Sequence, residues 1–394
     1  MLDLISLRAE TPGVQHVVHF NNAGASLMPK PVIDAITAHI NLEAEIGGYE
    51  AAVVKKEAIQ DFYVSTADLL NTTADNIAAT ANATDAYARA LSSIPFDRGD
   101  VILTTINDYV SNQIAFLSLR KRFGIEIVRA SDIPSGGVSV ADMAEKIRLL
   151  RPRLVAVTHV PTNSGLVQPV EAIGQICQEY DVLYLVDACQ SVGQLPVDVT
   201  QIHCDFLTAT CRKFLRGPRG MGFLYVSDKV LSRHMAPLFV DLHGAAWESA
   251  DTFRLEPTAK RFEDWEFPYA LVLGAAEAHR YALNVGLSAI AERNAELCAK
   301  LRSQLIELPG VHLLDEGEQL SSIITLFCEQ QAATNLKDIL LTEHINTSLS
   351  MHGAAIIDYD RKGMKTATLR ISPHYFNTED EINTLVETLK RTLA

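Results

Sequence analysis

No apolar run in this chain approaches the roughly 20 residues a helix needs to cross a bilayer. Its opening residues, MLDLISLRAETPG, lack a basic segment followed by an apolar one, so no secretory leader is expected either. Positive charge is in deficit: 34 Lys and Arg stand against 48 Asp and Glu, a formal net of −14. So acidic a chain repels phosphate backbones and anionic lipid, which argues against nucleic acid or a membrane surface as its partner. Cysteine is scarce and scattered. Cys177, Cys189, Cys204, Cys211, Cys298 and Cys328 form no C-x-x-C pair and no zinc-type spacing, so neither a disulfide framework nor a metal site is expected. They read as small buried hydrophobes in a reducing cytoplasm. Repeats of fixed period, low-complexity tracts and Pro/Ser linkers are absent too.

What remains is an ordinary globular composition, 48% hydrophobic and 21% charged over 394 residues. That length suggests two or three domains at about 150 residues each. Short, near-continuously apolar runs alternate with amphipathic stretches through the first 230 or so residues. Val101–Thr105, Leu154–Thr158, Val182–Val186 and Gly222–Val226 read as strands and Val170–Glu179 as a helix. Strands apolar on both faces and alternating with helices point to a doubly wound α/β sheet. After about Phe267 the pattern changes. A long helical stretch from Tyr269 to about Leu308, interruptible at Gly274 or Gly286, leads into Ser321–Phe327, Thr334–Glu343, Thr366–Ile371 and Glu379–Leu393. This mix suggests a smaller α+β domain beginning near residue 285.

In open parallel sheets ligands sit beyond the carboxyl ends of the strands. Asp187 closes a fully apolar strand, and a carboxylate there requires a cation or hydrogen-bond donors. Lys213 lies in a mostly apolar stretch beside Arg212 and near Arg216 and Arg219. Burial and neighbouring cations both favour a neutral, nucleophilic amine. The glycines around it, Gly217, Gly220 and Gly222, do not form a phosphate-binding G-x-x-x-x-G-K-[ST] loop. Arg370, in the short strand Thr368-Leu-Arg-Ile-Ser-Pro, offers bidentate capture of a carboxylate. Each has a plainer reading alone, as a helix cap, a solvated basic face or a structural ion pair. Together, an Asp at a strand end, a Lys 213 − 187 = 26 positions on and a distant Arg are the parts a pyridoxal phosphate (PLP) enzyme needs.

The longer motifs sharpen this. Val-Asp-Ala-Cys-Gln-Ser (186–191), Arg-Lys-Phe-Leu-Arg-Gly-Pro-Arg-Gly (212–220) and Leu-Arg-Ile-Ser-Pro-His-Tyr-Phe-Asn-Thr (369–378) follow His19-Phe-Asn-Asn-Ala-Gly-Ala. The chain thereby resembles the fold type I PLP enzymes of the aminotransferase class V family, the group of cysteine desulfurases, isopenicillin N epimerase-like proteins and C–S lyases. The resemblance implies a large PLP-binding domain with a mainly parallel central sheet, residues 19–285. A smaller α+β domain would comprise residues 286–394 together with 1–18. It implies that Lys213 is the Schiff-base lysine and moves the α-proton, and that Asp187 pairs with the pyridine nitrogen. Gln190 would approach the ring's phenolic oxygen. Ala83 and Thr84 would bind the phosphate at a helix N-terminus, with Thr210 and the permanent cation Arg212 beside it. Tyr109, in Asn107-Asp-Tyr-Val-Ser-Asn, would stack on the ring in place of the family's His. Thr162 or Asn163 would contact the cofactor, and His159 reads as core. Arg370, Asn22 and Trp265 would face an amino-acid substrate. Trp265 lies in the segment that relatives lend to a neighbouring subunit, so a homodimer is implied.

One departure bears on the reaction. Desulfurases carry a mobile-loop cysteine shortly before the strand of the carboxylate-binding Arg. The matching segment here, Ser348-Leu-Ser-Met-His-Gly-Ala-Ala, has none, and the nearest is Cys328. Without a thiolate in that loop, persulfide transfer is not expected. β-Elimination of sulfur from a cysteine derivative needs no protein thiol and is the expected reaction. Transamination, epimerisation or cyclisation on the same cofactor, and a non-catalytic relative, are the alternatives.

Overall fold

The computed structural model describes residues 2–393. Seven strands build the main sheet: β1 (Ile77–Thr80), β2 (Val101–Thr104), β3 (Glu126–Arg129), β4 (Leu154–Thr158), β5 (Leu183–Asp187), β6 (Phe206–Thr210) and β7 (Gly222–Val226). Their spatial order is β1-β7-β6-β5-β4-β2-β3. All neighbours from β6 to β3 run parallel, and β7 alone is reversed. Residue alternation sends Val155, Val157, Tyr184, Val186 and Leu207 into one apolar layer. It sends Leu154, Ala156, Leu183, Leu185 and Phe206 into the layer on the other face. Both faces are covered, which is why these strands read as unbroken apolar runs.

Three of the seven strands are not among those the sequence pattern predicts: β6, Phe-Leu-Thr-Ala-Thr, reads there only as the apolar stretch before Lys213, and β1 and β3 carry weak strand signals. β1 is Ile-Ala-Ala-Thr, with little β-branched character, and β3 is a half-buried edge, Glu-Ile-Val-Arg. The helical stretch after Phe267 is two helices, Tyr269–Val285 and Leu287–Leu305. Gly286 separates them with φ +92, a conformation that suits glycine.

A second sheet has the order β8-β9-β11-β10, comprising β8 (Val311–Leu313), β9 (Ile324–Cys328), β10 (Ser348–Ser350) and β11 (Thr368–Ile371), all antiparallel. Its core joins Ile324, Leu326, Leu369 and Ile371 to Leu297, Leu301 and Leu305, and to Leu385 of the last helix, Glu379–Leu393. The chain's early strand Val18–His19 pairs with Ile345–Asn346, and Phe20 packs into this same core. Asn21 bridges to Ser372, and Ser372 N–H donates to Phe20 O at 2.7 Å. These bonds bring the strand bearing Arg370 against the Asn22–Ser26 turn, beside the main sheet.

Candidate active site

Because β1, β2, β4, β5 and β6 point the same way, residues far apart in sequence emerge at one edge. Thr80 leads to Ala83, Thr104 to Tyr109, Thr158 to Thr162, Asp187 to Gln190, and Thr210 to Lys213. Reversed β7 begins at that edge, so Arg219 and Gly220 arrive there too. A cavity of about 350 Å³ lies between them, lined by Ala83, Thr84, Tyr109, Thr162, Asp187, Gln190, Thr210, Arg212 and Lys213. Of the expected cofactor residues, all nine are therefore brought together.

At one end the helix α1 (Ala83–Ser92) begins. Asn82 caps it, its Oδ1 accepting from Asp85 N–H at 3.0 Å. Ala83 and Thr84 supply the first two N–H groups, which have no acceptor inside the helix and carry the positive end of its dipole. Gly222 permits this placement: a Cβ there would lie 2.6 Å from Ala209 O and 2.8 Å from Asn82 C. Arg212 and Arg219 line the same cavity. Arg212 donates to Gly24 O. Thr210 Oγ1 gives its hydrogen to Met221 O at 3.1 Å, leaving its lone pairs open.

Asp187 is buried. Its Oδ2 accepts from Asn112 Nδ2 at 3.0 Å and its Oδ1 from Cys189 N–H at 3.0 Å. Burial pushes its carboxyl above the usual range, an effect those donors and Lys213 oppose and Asp108 adds to. Gln190 donates to Ala23 O and to Thr162 Oγ1, both at 3.1 Å, and its Oε1 is buried without a partner.

Arg370 reaches the cavity wall through Thr162, donating to Thr162 Oγ1 at 2.7 Å and to Thr162 O at 3.1 Å, with Asn21 Oδ1 3.4 Å away. Its Nε is buried without a partner. Burial lowers its proton affinity to about 10, with Arg212 adding to the effect. Thr162, then, is the residue of its pair that lines the cavity. Asn163 turns elsewhere, its Nδ2 donating to Asp358 Oδ2 at 2.9 Å.

None of the three expected substrate residues lines this cavity in the protomer: Arg370 stands behind Thr162, and the other two lie elsewhere. Asn22 is buried and engaged in the backbone, donating to Ser372 O at 2.8 Å and accepting from Ser26 Oγ at 2.6 Å. Trp265 is half exposed and borders a separate surface depression with Tyr49 and Phe267. Arg216, one of the cations near Lys213 in sequence, is fully buried and turned away. It donates to Thr11 Oγ1, Tyr375 Oη and Leu27 O at 2.6, 2.7 and 2.9 Å. Its φ of +59 shows the chain turning at that residue, which no one-dimensional charge pattern reveals. His159 is buried and its Nδ1 has no partner; burial holds the ring neutral, lowering its pKa to about 4.

Two residues, Asn112 and His374, take part in the site without a sequence signal that singles them out. Asn112 lines the cavity and bridges Asp187 to the buried Asp108. His374 fixes the residue after the lysine: its Nε2 lies 2.9 Å from Phe214 O. Among the described residues no three His, Cys, Asp or Glu side chains cluster as a metal site requires, and no helix is long and apolar enough to cross a membrane.

A PLP group fits the residues present. The cavity offers an anion site at the α1 N-terminus, a carboxylate acceptor on β5, an unpartnered Gln190 oxygen and an amine between them.

Known proteins resemble this chain along nearly its whole length. The model of the family "Aminotransferase class-V" matches residues 18–385. A probable cysteine desulfurase of Methanothermobacter thermautotrophicus is 28% identical over 389 residues, covering 98% of this chain and 96% of that protein. One from Pyrococcus abyssi is also 28% identical, with the same coverage. The apo structure of a cysteine desulfurase from Thermococcus onnurineus NA1 superposes with a TM-score of 0.91 at 23% identity, over 100% of this chain and 98% of that one. A cystine C–S lyase in complex with its product cysteine persulfide gives 0.85 at 23%, over 96% and 99%. These likenesses establish the fold type I architecture, and with the family model they show that the chain belongs to the aminotransferase class V family.

Proposed function

We propose that this chain is a PLP-dependent C–S lyase that removes a sulfur leaving group from the β-carbon of a cysteine derivative. The observation that carries the reading is the convergence of Asp187, Lys213 and the α1 N-terminus on one cavity, with Arg370 behind its wall. When bound, PLP supplies a ring that accepts electrons from the substrate α-carbon. The protein's own groups do the rest. Ala83 and Thr84 N–H, with Arg212, would hold the phosphate, and Asp187 would accept a hydrogen bond from the protonated ring nitrogen and so keep its proton in place. Lys213 Nζ would anchor the cofactor and take the α-proton. Tyr109, on the cavity wall, would cover the ring face, and Arg370 would clamp the substrate carboxylate through the fork of its guanidinium.

Elimination is favoured over persulfide transfer for a specific reason. The segment Ser348–Ala355 holds no cysteine. Cys189 lines the cavity, but burial raises its pKa, making it a poor nucleophile at neutral pH. Transamination or epimerisation would use the same residues and differ only in where the proton returns.

The proposal includes two domains, 19–285 and 286–394 with 1–18, a cytoplasmic setting and a homodimer. Trp265 would then contribute to the neighbouring protomer's site, consistent with its exposure here. The experiment is borohydride reduction of PLP-loaded protein followed by peptide mass spectrometry. Cofactor mass on the peptide containing Lys213, lost in Lys213→Ala, is the expected result. Labelling of another lysine overturns the assignment.

A further inference from the structure

Behind Asp187 lies a second buried carboxylate that the proposed chemistry does not use. Asp108 follows β2 and is 6% exposed. Its Oδ1 accepts from Tyr109 N–H at 2.7 Å, from Asn112 Nδ2 at 3.2 Å and from Thr158 Oγ1. Its Oδ2 accepts from Gln113 Nε2 at 2.6 Å and from Thr104 Oγ1 at 3.3 Å. Every contact is a donor, so the surroundings are built for the ionised form. The same Asn112 Nδ2 donates to Asp187 Oδ2 at 3.0 Å and lies 3.3 Å from Thr158 Oγ1. One amide group thus joins two like charges.

Burying two anions side by side is unfavourable unless a cation accompanies them. The charged and titratable groups around the pair are few. From β3, Arg129 meets Asp108 through Gln113, with Nη2 2.6 Å from Oε1. Lys213 opposes Asp187. Tyr87 on α1 is a hydroxyl kept protonated by its burial, with both carboxylates adding to the effect. Burial pushes both carboxyls up, and Asp108 pushes Asp187 further. A protonated ring nitrogen against Asp187 would be the missing cation. If Asp108 only oriented its neighbours, a neutral side chain of the same shape would serve.

We propose that Asp108 is a positioning residue that acts through Asn112 and Thr158 on Asp187, so that the buried pair holds the proton on the cofactor's ring nitrogen. This rests on the reading of Asp187 given above. The test uses full-length holoenzyme reconstituted with ring-¹⁵N PLP, following the nitrogen's chemical shift against pH in the wild type, Asp108→Asn and Thr158→Val. Asp108→Asn removes the charge and keeps the shape, so the pH at which the ring nitrogen loses its proton should fall by about one unit, a tenfold loss of proton affinity. Thr158→Val, which removes one donor to Asp108, should shift it the same way by less. A merely structural role would weaken folding or cofactor retention without moving this titration. An unchanged titration in Asp108→Asn overturns the proposal; should that variant not fold, an unchanged Thr158→Val does so. A wild type that binds no PLP, or holds it with an unprotonated ring nitrogen at neutral pH, instead overturns the assignment of Asp187.

Discussion

Replacing Arg370 with Gln separates what this residue does for binding from what it does for folding. The guanidinium is 8% exposed and its partners, Thr162 O, Thr162 Oγ1 and Asn21 Oδ1, are neutral. Its pKa falls from the ordinary arginine range to about 10 because burial disfavours the charge. At 1.36 kcal/mol per unit this corresponds to about 3 kcal/mol of unfavourable burial, which an incoming carboxylate can offset. Losing that pairing should raise KM for a cysteine derivative by roughly 100-fold, with a much smaller change in kcat. Arg370→Lys keeps the charge without the fork and should fall between the two. Stability of the cofactor-free protein should move the other way, holding or rising slightly in Arg370→Gln, because an uncompensated buried cation is gone. Steady-state kinetics and thermal melts of the same preparations read both effects. A KM within about threefold of wild type, or a loss of about 3 kcal/mol of apo stability as for a broken buried ion pair, would refute the reasoning.

Three further outcomes follow from the geometry. Gly222→Ala should push Asn82 and the α1 N-terminus away from the cavity, since its Cβ would meet Asn82 C at 2.8 Å; PLP affinity, measured by spectral titration of the apo protein, should fall at least tenfold. Thr162→Val should loosen Arg370 and Gln190 together, raising KM for the amino acid several-fold in steady-state kinetics and lowering PLP affinity by less than Gly222→Ala does. His279 is buried and neutral, burial lowering its pKa from 6.5 to about 3. A histidine depressed in the folded state contributes stability that is complete above pH 6.5 and is lost progressively as pH falls below it, about 2 kcal/mol by pH 5. Denaturant melts should therefore show a flatter decline between pH 6.5 and 5 in His279→Gln than in wild type; identical slopes would count against a neutral buried ring.

The residues that proved readable in one dimension share a local signature. Asp187 and Lys213 are polar groups placed just after runs buried on both faces, where a charge stands out against its neighbours. Arg370 was visible inside a short apolar strand for the same reason. Asp108 and Asn112 were not, because an Asp and an Asn around a helix start look like ordinary caps. Their meaning depends on Thr158 and Asp187, which come from other strands. Arg216 misled because a charge run carries no record of where the backbone turns. Asn22 shows the converse, a motif residue whose side chain is spent on its own backbone. Trp265 joins no cavity group of its own chain, and its proposed role depends on a second protomer. Strand β1 was hidden by alanines, which pack well in a crowded sheet while carrying no strand preference of their own.

The most direct measurement is product analysis after mixing PLP-loaded protein with cystine. Elimination by Lys213 without a protein thiol predicts pyruvate, ammonia and a persulfide in equal amounts, none of them formed above background by Lys213→Ala. Alanine together with sulfur bound to the protein, or pyridoxamine phosphate without pyruvate, would contradict it.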